Sequence, residues 1–138
     1  MKTLIEVLKE HKNISLGEKV DVRNNIDARK YLAEEGMAVF PDEFFSYVKY
    51  ANGIRSDSAE IYAILPEEDK FGFTDAVFAN ERLHRIDADN VSVLGKNEFD
   101  YLVYDKKENQ YQLRDKNNDS LTACFGSLTQ AIRYMFEV

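Results

Sequence analysis

Oxygen-bearing side chains recur at every second position in the segment DKNNDS. Asp115, Asn117 and Asp119 match positions 1, 3 and 5 of an EF-hand calcium loop. That loop requires glycine at position 6 and a bidentate glutamate at position 12, where this chain has Ser120 and Gly126. Asn and Asp also dominate tight turns, because their side chains bond to nearby backbone groups. The segment therefore predicts a solvated turn that does not bind calcium specifically.

Histidine and cysteine form no evident catalytic or zinc motif. Nucleophilic catalysis requires a serine or cysteine beside a base, and His11 and His84, the only histidines, lack a supporting motif. Cys124 lies in the apolar stretch TACF and is expected to be a buried core thiol. His84 with Asp87 and Asp89 lacks a second histidine and zinc-type spacing. The sequence therefore predicts a protein with no catalytic residue, no metal and no cofactor.

Acidic side chains occur close together at two places. Asp100 with Asp105, or the run Glu67, Glu68 and Asp69, could in principle perform acid–base catalysis. No sequence feature gives two of these carboxylates different environments, and runs of charge are usually solvated. A small hydrolytic or ligand-binding domain that uses these acids stays an alternative to a binding protein.

Length and charge limit the possible classes of protein. A chain of 138 residues with 44% hydrophobic composition is long enough for one core, so residues 1–138 are predicted to form a single domain. The 25 acidic and 18 basic residues give a formal charge of -7. This charge opposes direct binding to nucleic acid or to anionic membranes, and it suits a basic partner.

The N-terminal segment MKTLIEVLKEHKN does not resemble a secretory signal, because Glu6, Lys9 and Glu10 interrupt its apolar stretch. No apolar run approaches the length of a membrane span. The single cysteine permits no internal disulfide, which is typical of a reducing compartment. We therefore expect a cytoplasmic protein.

Helical periodicity dominates the N-terminal part of the chain. Residues 3–12 are predicted to form an amphipathic helix, and residues 27–35 a second helix with Ala28, Tyr31 and Leu32 on one face. Pro41 fits the first turn of a third helix, and Gly53 fits the left-handed position after it.

The central part alternates between strand and helix patterns. AEIYAILP (59–66) and NVSVLG (90–95) predict strands, while FTDAVFANERL (73–83) predicts a helix. The run 101–104 is apolar throughout, as in an inner strand, and it is predicted to form an antiparallel hairpin with 111–114.

The C-terminal part of the sequence predicts a strand with two different faces, a further strand and a capped helix. Gln112 and Arg114 alternate with apolar residues, which predicts one buried and one wet face. LTACF is predicted to add a further strand. Ser127 and Gln130 form a capping box before a helix over 128–136 that covers the sheet. Helices followed by mostly antiparallel strands and a final helix indicate the α+β class.

Several segments in this order resemble the SUKH superfamily, which includes the Smi/Knr fungal regulators of cell-wall glucan synthesis and many bacterial immunity proteins. The matching segments are FPDEFFSYVKYANGI, EIYAILP, VSVLGKNEFDYLVYDKKENQYQLRDK and SLTQAIRYMFE, within residues 40–137. The family often has a second glycine after Asn-Gly, where this chain has Ile54.

The resemblance implies a small α+β domain, with helices packed on an antiparallel mixed sheet, that acts by binding a protein. Similar bacterial proteins neutralise toxins encoded beside them, and these toxins are often nucleases. The resemblance therefore predicts a cognate, basic protein toxin as partner. A regulator or scaffold of glucan synthesis is the alternative that the fungal relatives suggest.

We predict that the partner is contacted near the end of the 59–66 strand. Acidic side chains there would occupy positions that phosphates take on a nuclease, and they would accelerate association at low salt. The protein is expected to be a monomer or a weak homodimer. The predicted contact residues are Asn52, Tyr62, Glu67, Glu68 and Asp69.

Overall fold

The computed structural model describes residues 2–18, 22–64, 72–83 and 89–138. The helices are α1 (Lys2–Glu10), α2 (Val22–Glu34), α3 (Asp42–Tyr50), α4 (Ala76–Phe78), which continues into a π-helix (Ala79–Leu83), and α5 (Leu128–Phe136). The strands are β1 (Ser15–Leu16), β2 (Ile54–Arg55), β3 (Ala59–Ile61), β4 (Val91–Asn97), β5 (Asp100–Asp105), β6 (Gln110–Asp115) and β7 (Leu121–Phe125). No helix within the described ranges is long and apolar enough to cross a membrane.

The strands form one sheet in which sequence neighbours are also spatial neighbours. Among the described residues, seven strands pair in chain order, from β1 at one edge to β7 at the other. Every pairing between neighbouring strands is antiparallel. The sequence predicts a mixed sheet, with some parallel pairing. In the described part of the chain, parallel pairing is limited to an isolated bridge between Ala63 and Asp75. The α+β class with an antiparallel sheet is therefore confirmed.

The predicted central hairpin is present. β5 lies between β4 and β6, and Leu102 pairs with Leu113 while Tyr104 pairs with Tyr111. Leu102 and Leu113 are fully buried, and α5 packs against β6 from this side of the sheet. The inner position of β5 explains why its apolar run shows no alternation.

The opposite face of β6 is polar, yet it is closed to solvent at its centre. Gln112 is buried, and Arg114 lies against it with Nε donating to Gln112 Oε1 over 2.9 Å. Arg114 also pairs with Asp105 at 2.8 Å and with Asp119 at 3.5 Å. The predicted wet face is therefore wrong at Gln112, because an ion-paired arginine covers it.

The segment DKNNDS forms the predicted turn. Asp115 Oδ1 accepts hydrogen bonds from the backbone N–H groups of Asn117 at 2.8 Å and Asn118 at 3.2 Å. Asp119 adopts a φ of 59°, which Asp tolerates better than most residues. The Asp115 carboxylate thus holds the backbone of the turn, and the lack of specific calcium binding stays a prediction.

α5 begins at a serine cap. Ser127 Oγ accepts from the Gln130 N–H over 3.2 Å, which is one half of the predicted capping box. Gln130 Oε1 accepts from the Gly126 N–H over 3.0 Å, so the return bond reaches the residue before the cap. The helix buries residues at the predicted spacing: Leu128, Ala131, Ile132, Met135 and Phe136.

A glutamate from α3 also holds the N-terminus of α5. Glu43 accepts from the backbone N–H of Leu128 at 2.8 Å and from that of Thr129 at 3.3 Å. The Tyr47 hydroxyl lies 2.6 Å from Thr129 Oγ1, which adds a second link between the helices. A carboxylate is favourable here because the N–H groups of the first turn lack partners within the helix and carry partial positive charge.

Two predicted elements have different bounds. β3 stops at Ile61, although the apolar run predicts a longer strand, and residues 65–66 of that run lie outside the described residues. α2 begins at Val22, before the predicted start at Asp27. The earlier start includes residues of low helix propensity, which tertiary packing overrides.

Cys124 is exposed, so the prediction of a buried core thiol is wrong. β7 is the last strand of the sheet, and Cys124 pairs with Gln112. Its neighbour Ala123 pairs with Leu113, so these two side chains point to the α5 side and Cys124 points to the other side. The apolar letters of LTACF do not reveal that the strand lies at an edge.

Candidate functional site

Asn52 and Tyr62, two of the predicted contact residues, lie inside the fold. Asn52 Nδ2 donates to Ile64 O over 2.8 Å, and Asn52 Oδ1 accepts from the Ile64 N–H over 2.7 Å. The amide therefore holds the chain after β3 as a neighbouring strand would. Tyr62 is fully buried, and burial raises the pKa of its phenol. The other predicted contacts lie outside the described residues: Glu67, Glu68 and Asp69.

The acids considered for catalysis have structural partners where they are described. Asp100 accepts from Thr122 Oγ1 over 2.9 Å, and Asp105 is paired with Arg114. Within the described ranges, no group of His, Cys, Asp and Glu side chains is arranged to hold a metal ion. Two members of the considered metal set, His84 and Asp87, lie outside those ranges.

A surface groove runs between α2 and the α4–π-helix segment, beside the point where Ile64 precedes the predicted acidic contacts. We call it the acidic groove, and its volume is about 370 Å³. The described residues that line it are Asn24, Asp27, Ala28, Tyr31, Ile64, Asp75, Val77, Phe78 and Glu81.

All charged side chains that line the acidic groove in the described part of the chain are carboxylates. Asp27 has no hydrogen bond or ion pair with a described residue, and its side chain is exposed. Asp75 caps α4, because its Oδ2 accepts from the Phe78 N–H over 3.0 Å. Glu81 Oε1 lies 3.5 Å from Arg82 Nε, and the Glu81 side chain is more buried than that of Arg82. The described lining of the groove therefore carries net negative charge.

A tyrosine and a glutamate join the two walls of the acidic groove. The Tyr31 hydroxyl donates to Glu81 Oε2 over 2.5 Å. This hydrogen bond, followed by burial, raises the pKa of the Tyr31 phenol, so the phenol stays a neutral donor at physiological pH. The bond orients one carboxylate oxygen of Glu81 towards α2.

The acidic groove also contains exposed aromatic side chains. Phe78 is 52% exposed and Tyr31 is 36% exposed, whereas Ile64 is buried beneath them. The sequence places Tyr31 on one helix face with Ala28 and Leu32. The structure buries Ala28 and Leu32, whereas Tyr31 stays partly exposed and reaches Glu81 of the π-helix. An aromatic surface bordered by carboxylates matches a lysine or arginine, whose aliphatic stem packs on a ring while its charge meets an acid.

A larger open cleft of about 700 Å³ lies beside the β2–β3 turn and has a different character. Its lining combines the cations Arg55 and Lys96 with the acids Asp57 and Glu98. Glu60, also in this cleft, accepts from the Thr74 N–H over 2.7 Å. The described lining of this cleft therefore mixes two cations with three acids, so it selects a partner by charge less strongly than the acidic groove, whose described charged residues are all acids.

Sequence reasoning did not identify the acidic groove. Asp27 and Tyr31 lie four residues apart on α2, which is a visible helical spacing, but Glu81 is distant in sequence and reaches them only through the tertiary fold.

The chain matches no family model, no curated protein and no solved structure.

Proposed function

We propose that this chain is a non-enzymatic, SUKH-like protein-binding domain of the immunity type, and that it neutralises a basic protein toxin, such as a nuclease, in the cytoplasm. The observation that carries this proposal is the acidic groove, where Asp27, Asp75 and Glu81 surround exposed aromatic surface. The formal charge of -7 extends the same preference over the whole molecule.

The two components of the groove have different roles in binding. Exposed ion pairs contribute only about 0.2–1 kcal/mol each, so the carboxylates alone do not give tight binding. Their long-range field instead raises the rate of encounter with a cationic surface. Affinity then depends on apolar anchors, and Phe78 and Tyr31 offer the exposed rings for that purpose. A nuclease surface suits this pattern, because lysines and arginines that hold phosphates would meet carboxylates instead.

The direct test is the association kinetics with a purified toxin encoded by the adjoining gene. We expect the association rate constant to fall by about tenfold or more between low and high salt. The variant Asp27→Asn/Glu81→Gln is expected to lower the low-salt association rate, and Phe78→Ala is expected to raise the dissociation rate. A matched control, Glu10→Gln/Glu108→Gln, removes the same charge from exposed sites outside the groove.

The possible outcomes test the identity of the partner and the location of the docking site independently. Absence of a complex at micromolar concentration rejects the immunity function for that toxin. A complex whose rates are the same in the groove variant and the control rejects the acidic groove as the docking site. The triple neutralisation of Glu67, Glu68 and Asp69 then tests the contacts predicted from sequence.

A further inference from the structure

The two edges of the sheet differ in how they are protected. β1 has only two residues, and so short an edge offers little backbone for pairing. β7 has five residues, and within the ranges that the structure describes it pairs on one side only, with β6. Leu121 is 57% exposed and Cys124 is also exposed, so this edge is open to solvent. Unpaired N–H and C=O groups along such an edge are a template for another strand.

β7 lacks most devices that keep edge strands apart. Proteins commonly protect edges with lysine, proline, an inward charge or a bulge. The segment from Ser120 to Ile132 has no charged residue and no proline, in a chain that is 31% charged. A register shift opposite Leu113 and Arg114 disturbs the start of the strand, but Ala123, Cys124 and Phe125 pair regularly with β6.

We propose that β7 pairs antiparallel with β7 of a second copy of this chain, forming a weak two-fold dimer with a continuous sheet. The occupant follows from charge. Two copies that each carry -7 repel each other, so their contact must avoid charged surface. Both edge strands of the described sheet lack charged residues, but β1 has only two residues and β7 has five, so β7 is the edge long enough for pairing. A basic partner is matched instead by the acidic groove.

The faces of β7 fix the register. Ala123 and Phe125 point to the α5 side, and Cys124 points to the opposite side. A two-fold axis at Cys124 pairs Ala123 of each copy with Phe125 of the other, so large and small side chains alternate on the α5 side. Tyr134, which is 58% exposed and has its ring 5.3 Å from that of Phe125, extends this apolar contact.

The same register brings the two Cys124 side chains opposite each other. Directly opposed residues in an antiparallel pair have Cβ atoms about 4.5–5.5 Å apart. Cys124 is the only cysteine, so a thiol cross-link formed by a short bismaleimide reports this contact alone. We expect a cross-linked dimer whose yield rises with protein concentration.

Sedimentation equilibrium of the full chain tests the proposal quantitatively. A single strand pair is a small interface, so we expect a dimer dissociation constant on the order of 10–100 μM. Cys124→Glu places two carboxylates opposite each other and is expected to raise that constant by about tenfold or more. Asn13→Glu adds the same charge at an exposed position beside β1, at the opposite edge of the sheet, and is the control.

A charge-exchange experiment makes the result specific. Cys124→Arg alone is also expected to be monomeric, and mixing it with Cys124→Glu is expected to restore a dimer containing one copy of each. A wild-type chain that stays monomeric at several hundred micromolar overturns the proposal. The proposal is also overturned if the wild-type chain is monomeric and Cys124→Glu abolishes toxin binding. In that case the β7 edge pairs with a strand of the toxin and not with a second copy of this chain.

Discussion

We expect replacement of Glu43 by alanine to lower the free energy of unfolding by more than a typical single substitution does. The Glu43 carboxylate receives N–H groups from Leu128 at 2.8 Å and Thr129 at 3.3 Å, and the Thr129 hydroxyl lies 3.4 Å from it. Burial and the nearby Glu43 carboxylate raise the pKa of Tyr111, so that phenol also remains a neutral hydrogen-bond donor to it. One side chain on α3 thus accepts the hydrogen bonds of the backbone N–H groups that begin α5.

The magnitude follows from these contacts. A charge-assisted hydrogen bond contributes about 1.5–3 kcal/mol, and loss of a helix N-cap costs about 0.5–2 kcal/mol, but contacts to one carboxylate are not additive. We therefore expect Glu43→Ala to lower the free energy of unfolding by about 2–4 kcal/mol, most of it from the unpaired first turn of α5. Glu43→Gln keeps an acceptor without the charge and is expected to lose less.

The neighbouring residue is a matched control for this measurement. Asp42 makes an ion pair with Arg29 at 3.0 Å, yet 90% of its side chain is exposed, so Asp42→Ala is expected to change stability little. Urea unfolding monitored by circular dichroism, with a common slope for all variants, gives the comparison. If Glu43→Ala lowers the free energy of unfolding no more than Asp42→Ala does, the hydrogen bonds from Glu43 to α5 do not stabilise the fold and the prediction is wrong.

Three further predictions concern the core, the tyrosines and the calcium-like turn. Ile132→Ala is expected to lower the free energy of unfolding by about 2–5 kcal/mol because Ile132 is fully buried; a loss well below 1 kcal/mol in urea unfolding would contradict this. Burial raises the pKa of Tyr62 and Tyr111, so stability is expected to fall as pH rises above about 10, where the unfolded phenols release protons. Unfolding at several alkaline pH values, with Tyr62→Phe as comparison, checks this, and a flat profile refutes it. Calorimetry is expected to show no saturable calcium binding; a micromolar affinity lost in Asp115→Ala would overturn that prediction.

Local patterns predicted the elements whose partners are close in sequence. The alternation in β6, the apolar run in β5 and the capping residue Ser127 each express a geometry that a few adjacent residues determine. The hairpin and α5 were therefore predicted with nearly correct bounds. The sequence also predicted that part of the β5–β6 pair is core, and Leu102 and Leu113 are fully buried.

Contacts between distant segments were not visible in the same way. Gln112 has a polar side chain on a strand face, and only the path of Arg114 across that face explains its burial. Cys124 lies in an apolar run that fits an inner or an edge strand equally well, so its exposure depends on strand order. The acidic groove likewise requires the packing of α2 beside the π-helix, which brings Tyr31 to Glu81.

The two proposed contacts respond to salt in opposite ways, which allows them to be separated in one series of measurements. Attraction between the acidic groove and a basic toxin weakens as ions screen the carboxylates, because the Debye length falls from about 10 Å at 0.1 M to about 3 Å at 1 M salt. Pairing of two acidic molecules through the uncharged β7 edge gains from the same screening, because the repulsion between their net charges of -7 is reduced. We therefore expect added salt to slow toxin association while it increases the fraction of dimer. If both equilibria weaken together with salt, the dimer contact is itself electrostatic, and the assignment of β7 as the self-association edge is wrong.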